Sequence, residues 1–135
     1  MKISIITITY NAAQWLERTM LSVLAQTSKD YEYIIVDGAS TDGTVDIIKR
    51  LEPQFEGRLS WHSEPDKGLY DAMNKGIRRA VGDYVWFVNA GDEIYNLDTL
   101  AHMVAAATDE TDILYGKACI VNAEGVKVSE HHKVT

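Results

Sequence analysis

A repeated pattern constrains this chain most: a short apolar run, a polar cluster, then an amphipathic stretch. The apolar runs are residues 3–9, 31–36, 59–63 and 84–88. They are rich in Ile, Val, Tyr and Trp, side chains that suit a pleated surface. The amphipathic stretches carry apolar residues at the 3.6-residue helical period. Leu16, Met20, Val23 and Leu24 form the first apolar face, and Ile47, Ile48, Leu51 and Phe55 the second. Leu69, Ala72, Met73, Gly76, Ile77 and Ala80 form the third, with Asp71, Asn74, Lys75, Arg78 and Arg79 off the stripe. Strand and helix alternating at this spacing predict an α/β domain, a mostly parallel sheet with helices on both faces. Near-continuous apolar runs are what strands buried on both faces require.

Local signals refine the boundaries. Asn11 followed by Gln14 resembles a capping box for the first helix. Pro53 is expected to disturb the last turn of the second, and Gly82 is placed to cap the third. A further helix is expected over 97–107 and a fifth strand over 112–121. A turn at 122–125 then returns Val126 and Val128 as a hairpin arm.

In open parallel sheets, ligands bind at the carboxyl ends of the strands. The polar clusters fall at those ends: Thr9-Tyr10-Asn11, residues 37–42, residues 64–68 and residues 89–93. The last closes the run Trp-Phe-Val-Asn-Ala-Gly-Asp-Glu (86–93), an apolar strand that stops at a carboxylate, Asp92. Carboxylates after strands two and four suit two tasks. One accepts hydrogen bonds from a base or ribose, and the other holds a divalent cation bridging two phosphates. Magnesium or manganese needs few protein carboxylates when phosphate oxygens and waters complete its shell. Such a cation would neutralise charge on a departing diphosphate.

Composition excludes other classes. The 135 residues suffice for one domain with a core. A formal net charge of −7 argues against general binding of nucleic acid or anionic membrane. No GxGxxG follows the first strand, no GxxxxGK[ST] is present, and the four histidines lack zinc spacing. The single cysteine, Cys119, reads as a small buried hydrophobe in a reducing compartment. No run approaches the length of a transmembrane helix. Trp15 and Trp86 read as core and Trp61 as partly exposed. Glu93, Arg78 and Arg79 read as solvated, and Asp42-Gly43 as a structural turn and helix start.

Four segments together resemble glycosyltransferase family 2, of the GT-A, nucleotide-diphospho-sugar transferase-like fold. They are residues 5–11 (Ile-Ile-Thr-Ile-Thr-Tyr-Asn), Gln26-Thr27, residues 35–44 (Ile-Val-Asp-Gly-Ala-Ser-Thr-Asp-Gly-Thr), and Gly82-Asp83-Tyr84 with Asn89-Ala90-Gly91-Asp92. Residues 63–76, from Ser-Glu-Pro-Asp-Lys-Gly to Met-Asn-Lys-Gly, resemble a bacterial branch that builds surface polysaccharides. The resemblance implies inverting transfer of a sugar from a nucleotide diphosphate sugar to a saccharide or lipid-linked acceptor hydroxyl. It places Thr9 and Tyr10 against the base, Asp37 at base or ribose, and Asp66 facing the nucleotide, with Lys67 and Asn74 as further candidate donor contacts. Asp92 is the expected ligand of the cofactor, Mn2+ or Mg2+. Gly38 stands where many members carry a second acid, and Gly91 where many carry the earlier acid of the DxD-like motif.

Family members usually run well past this length, and their later half supplies the acceptor site and catalytic base. The expectation is therefore a single nucleotide-sugar-binding domain over 1–135, with the base beyond Thr135. A cytoplasmic location follows, with peripheral attachment at the inner face of the membrane as a variant. Uncovered apolar faces would favour a homodimer. The alternative is a nucleotide-sugar-binding module that does not catalyse alone. A nucleotidyltransferase is disfavoured, because residues 9–13 lack a glycine- and lysine-rich loop for a triphosphate.

Overall fold

A computed structural model describes residues 3–94, 96–101, 119–121 and 127–130, the last two segments as backbone. Its elements are β1 (Ile3–Thr9), α1 (Leu16–Leu24), β2 (Tyr31–Asp37), α2 (Thr44–Leu51), a 3-10 turn (Glu52–Phe55), β3 (Leu59–Ser63), α3 (Leu69–Arg79), β4 (Tyr84–Phe87), β5 (Glu93–Ile94), β6 (Cys119–Val121) and β7 (Lys127–Glu130). The first four strands form one parallel sheet in the order β3-β2-β1-β4. β5, β6 and β7 form a separate antiparallel sheet.

Side chains alternate across the parallel sheet and feed two cores. Ile3 and Ile5 of β1 and Tyr31, Tyr33 and Ile35 of β2 face α1, α2 and the 3-10 turn, packing with Leu16, Met20, Val23, Ile48, Leu51 and Phe55. Ile6, Ile34 and Val36 point the other way, onto Ala72 of α3. Burial on both faces explains the unbroken apolar runs of the central strands. The second core is thin because α3 lies close to the sheet. A Cβ at Gly76 would stand 2.7 Å from Ile6 Cγ2.

Several boundaries differ from the sequence expectation. The Asn11–Gln14 capping box does not form: Asn11 takes a left-handed conformation (φ 49°) and its Oδ1 accepts the Thr41 N–H at 2.8 Å. Helix α1 begins only at Leu16, without a side-chain cap. Gly82 does not cap α3, which ends through an extended Ala80; its N–H instead donates to Ser4 Oγ at 2.8 Å. Leu69 and Ile77 are exposed at 57% and 47%, so the buried stripe of α3 narrows to its small residues. Trp15 is half-buried beside α1 rather than sealed in the core, while Trp61 and Trp86 are partly buried and pack on the larger core. Pro53 acts as expected, converting the end of α2 to the 3-10 turn.

Of the helix expected over 97–107, residues 97–101 are described: 97 and 98 form a turn, and the helix begins at 99. Of the strand expected over 112–121, only Cys119–Val121 is described; it pairs antiparallel with β5 and with the hairpin arm β7. Val126 and the side chain of Cys119 lie outside the described residues. Among the described residues, no helix is long and apolar enough to cross a membrane.

Candidate functional site

The parallel register brings the ends of β1, β2, β3 and β4 to one edge, with Thr9 opposite Asp37 and Asp37 opposite Ser63. Asp37 is fully buried and knits three of these ends together. Its Oδ1 accepts the hydroxyls of Thr9 and Ser40, each at 2.6 Å. Its Oδ2 accepts the Ser63 hydroxyl at 2.7 Å and the Ser40 N–H at 2.9 Å. Burial works to raise the pKa of this carboxyl, but the four hydrogen bonds outweigh it and hold the group below its ordinary range. Thr9 and Asp37 therefore lie beneath the surface as its floor, with their polar side-chain atoms spent on each other.

The surface above them belongs to other residues. Tyr10 is 65% exposed at the end of β1. Asp66, on the loop after β3, is half-buried and reaches over Gly38, with Oδ2 2.6 Å from where a Cβ there would stand. The Gly68 N–H donates to Asp66 Oδ1 at 3.1 Å. Asp71 at the start of α3 accepts the Lys67 N–H at 2.9 Å, so the 66–68 loop is pinned to the helix. Lys67 and Asn74 are exposed. Asp42 serves structure, as expected: it accepts the N–H and hydroxyl of Thr44 and the N–H of Ala13, fastening the 37–44 loop beside α1.

Asp92 sits on a tight turn after β4. Its N–H donates to the Asn89 carbonyl at 2.9 Å, and Gly91 supplies the positive φ of 99°. The turn is tied to α1 through Thr19, which accepts the Gly91 N–H at 3.0 Å and donates to the Asp92 carbonyl at 2.7 Å. Burial pushes the Asp92 carboxyl above the ordinary Asp range, only partly offset by the Asn89 N–H. Among the described residues no cationic side chain pairs with this carboxylate, and no group of three or more His, Cys, Asp or Glu gathers in metal-binding geometry. A single half-buried acid without a counter-ion fits a cation whose remaining ligands come from phosphate and water.

Sequence reasoning gave no role to the residues that set this geometry, although Gln26 lies in the Gln26-Thr27 segment that carries the family resemblance. Thr19, Ser22 and Gln26 lie on or just after α1 and grip the chain that follows β4. Ser22 accepts the Ile94 N–H at 3.1 Å. Buried Gln26 donates to the Asn96 carbonyl and accepts the Leu100 N–H, each at 2.9 Å. A polar residue recurring on the otherwise apolar face of α1 was the available signal. A separate cavity of about 260 Å³ is lined by His62, Ser63, Glu64, Lys75, Arg78 and Arg79. Its lining includes neither Tyr10, Asp66 nor Asp92.

Comparison with known proteins bears on the family and the fold. A PGL/p-HBAD biosynthesis glycosyltransferase from Mycobacterium bovis is 41% identical over 115 residues, covering 84% of this chain and 45% of that protein. The chain thus spans less than half the length of that relative. A mannosyltransferase from Pyrobaculum calidifontis, solved with GDP-Man and Mn2+, superposes with a TM-score of 0.73 at 31% identity, covering 81% of this chain and 33% of that one. TarS of S. aureus (residues 1–349), solved with UDP-GlcNAc, superposes with a TM-score of 0.71 at 29% identity, covering 78% of this chain and 30% of that one. Both are glycosyltransferases of the GT-A fold. Residues 4–134 match the pattern of the family described as Glycosyl transferase family 2, and the chain belongs to that family.

Proposed function

We propose that this chain is the nucleotide-sugar-binding domain of a glycosyltransferase. The reaction passes a sugar from a nucleotide diphosphate sugar to a saccharide or lipid-linked acceptor hydroxyl, and the family resemblance favours inversion at the anomeric carbon. One observation carries the reading: the exposed Tyr10, the Asp66 carboxylate and the half-buried Asp92 carboxylate all follow strand ends on the edge where the parallel strands end. Donors bound by the two solved relatives support the ligand class.

In this reading Tyr10 stacks on the base, and Asp66 and Lys67 line the nucleotide. Thr9 and Asp37 hold that surface from below, while Asn74 sits exposed on α3 at the rim. Asp92 is the protein ligand of Mn2+ or Mg2+, which when bound supplies neutralisation of charge on the departing diphosphate. The chain's own contribution is to hold a lone carboxylate still in a partly buried position, where attraction to a cation is less screened than in water.

Calorimetry with UDP- and GDP-linked sugars, with and without Mn2+, tests the reading. The expected result is donor binding that strengthens with the metal and loses that gain in Asp92→Ala. Equal affinity for wild type and Asp92→Ala in the presence of Mn2+ would overturn the metal assignment. A second reading, a donor-binding module that does not transfer sugar by itself, is favoured by the coverage of 45% of the mycobacterial relative. Donor binding without turnover by the purified chain would support it.

A further inference from the structure

Gly38 is not explained by its backbone, which lies outside the left-handed region where glycine is preferred. Space explains it. A Cβ at position 38 would stand 2.6 Å from Asp66 Oδ2, 3.3 Å from Asp66 Cγ and 3.6 Å from Tyr10 Cδ1. The Asp66 carboxylate therefore occupies the volume a side chain on residue 38 would fill, and it does so against the edge of an exposed aromatic ring. The Gly68 N–H holds its Oδ1, while its Oδ2 meets no hydrogen-bond donor among the described residues. Asp37, one residue before Gly38, has no acceptor capacity left to offer a ligand, because four internal donors fill it.

We propose that Asp66, reaching from the loop after β3 into the space vacated by Gly38, is the carboxylate that reads the nucleobase of the donor. A base stacked on Tyr10 presents its edge to Asp66 Oδ2. An ionised carboxylate only accepts hydrogen bonds. It therefore selects bases with an N–H beside a ring carbonyl, uracil or guanine. At the corresponding ring nitrogen, cytosine and adenine carry a lone pair that faces the carboxylate without a proton between them. Positions 38 and 66 are then alternative hosts for one carboxylate at one point in space. This inference rests on the nucleotide-sugar reading above and adds the residue that sets base choice.

The test is calorimetry of the 135-residue chain with UDP, GDP, CDP and ADP in the presence of Mn2+, with thermal melting to confirm folding of each variant. Wild type is expected to favour UDP or GDP over CDP and ADP by on the order of tenfold or more, a discrimination typical of a site that pairs with a specific N–H. Asp66→Ala is expected to abolish that preference, and Asp66→Asn, which keeps the shape, to reduce it. The double variant Gly38→Asp/Asp66→Ala, which returns a carboxylate to the same space from the β2 side, is expected to restore most of it. Retention of the wild-type preference in Asp66→Ala and Asp66→Asn, or no recovery in a folded double variant, would overturn the inference while leaving donor binding intact. Binding of all four nucleotides alike by wild type would overturn it too. Failure of wild type to bind any of them would overturn the nucleotide-sugar reading as well.

Discussion

Thr19 on α1 holds the backbone of Asp92 from both sides, accepting the Gly91 N–H at 3.0 Å and donating to the Asp92 carbonyl at 2.7 Å. The acid proposed to meet the metal is thus aimed by a buried hydroxyl more than seventy residues earlier in the chain. Thr19→Val keeps the shape and removes both bonds. The expected cost is about 1–3 kcal/mol of stability, from a buried amide and carbonyl left unmet. The Mn2+-dependent part of nucleotide binding should fall as well, because the Asp92 turn loses its anchor. Urea denaturation and calorimetry on one preparation check both effects.

Asp37→Asn should destabilise the fold by about 3 kcal/mol at neutral pH, since a buried carboxylate accepting four bonds becomes an amide that must bury two N–H donors among donors. The pH dependence has a definite sign. The folded pKa lies below the unfolded value of about 3.9. The stabilisation is therefore complete above about pH 4 and disappears as pH falls through the folded value. Denaturation of wild type and Asp37→Asn across acid pH should give curves that converge below that window. A constant gap down to the acid limit would contradict the assignment.

Gly76→Ala sets two effects against each other. Alanine gains about 1 kcal/mol of helix propensity over glycine. Its methyl group, however, would stand 2.7 Å from Ile6 Cγ2 and 3.2 Å from Ile6 Cδ1, with Ile6 fully buried. Overpacking of this kind costs about 1–3 kcal/mol, so the net change is expected to be destabilising. A double-mutant cycle with Ile6→Ala should give a loss smaller than the sum of the single losses, and strict additivity would exclude the contact.

Ala39 occupies the left-handed region at φ 61°, held there by the bonds from Ser40 to Asp37. That conformation costs a non-glycine residue about 1–2 kcal/mol. Ala39→Gly removes the strain but adds freedom to the unfolded chain. The net expectation is a stabilisation of roughly 0.5 kcal/mol, read as a rise in Tm of about 2 °C.

Much of the fold was legible because it rests on near-neighbour patterns. The runs at 3–9 and 59–63 coincide with β1 and β3, and Pro53 ended α2 where its ring must. The Asn11 cap failed because a distant residue competes for its side-chain oxygen: the backbone N–H of Thr41, thirty positions on, takes it. Gly82 failed as a cap for a similar reason, because Ser4 of β1 offered its N–H a partner. Tertiary partners outbid local ones wherever the local signal was a single hydrogen bond.

The order of apolar runs and amphipathic helices by itself determined a parallel α/β sheet with its polar loops on one edge, since burying each apolar face leaves few other arrangements. It also put acids at the ends of β2 and β4. Only the tertiary structure decided what each acid does. Asp37 sits beneath the edge with every acceptor site filled from Thr9, Ser40 and Ser63. Asp92 stands half-buried with no cationic side chain beside it among the described residues, and Asp66 crosses from the loop after β3 into the room Gly38 leaves. The physical reason is that a carboxylate's role depends on which donors reach it, and here those donors come from segments far apart in the chain and adjacent only in the folded sheet.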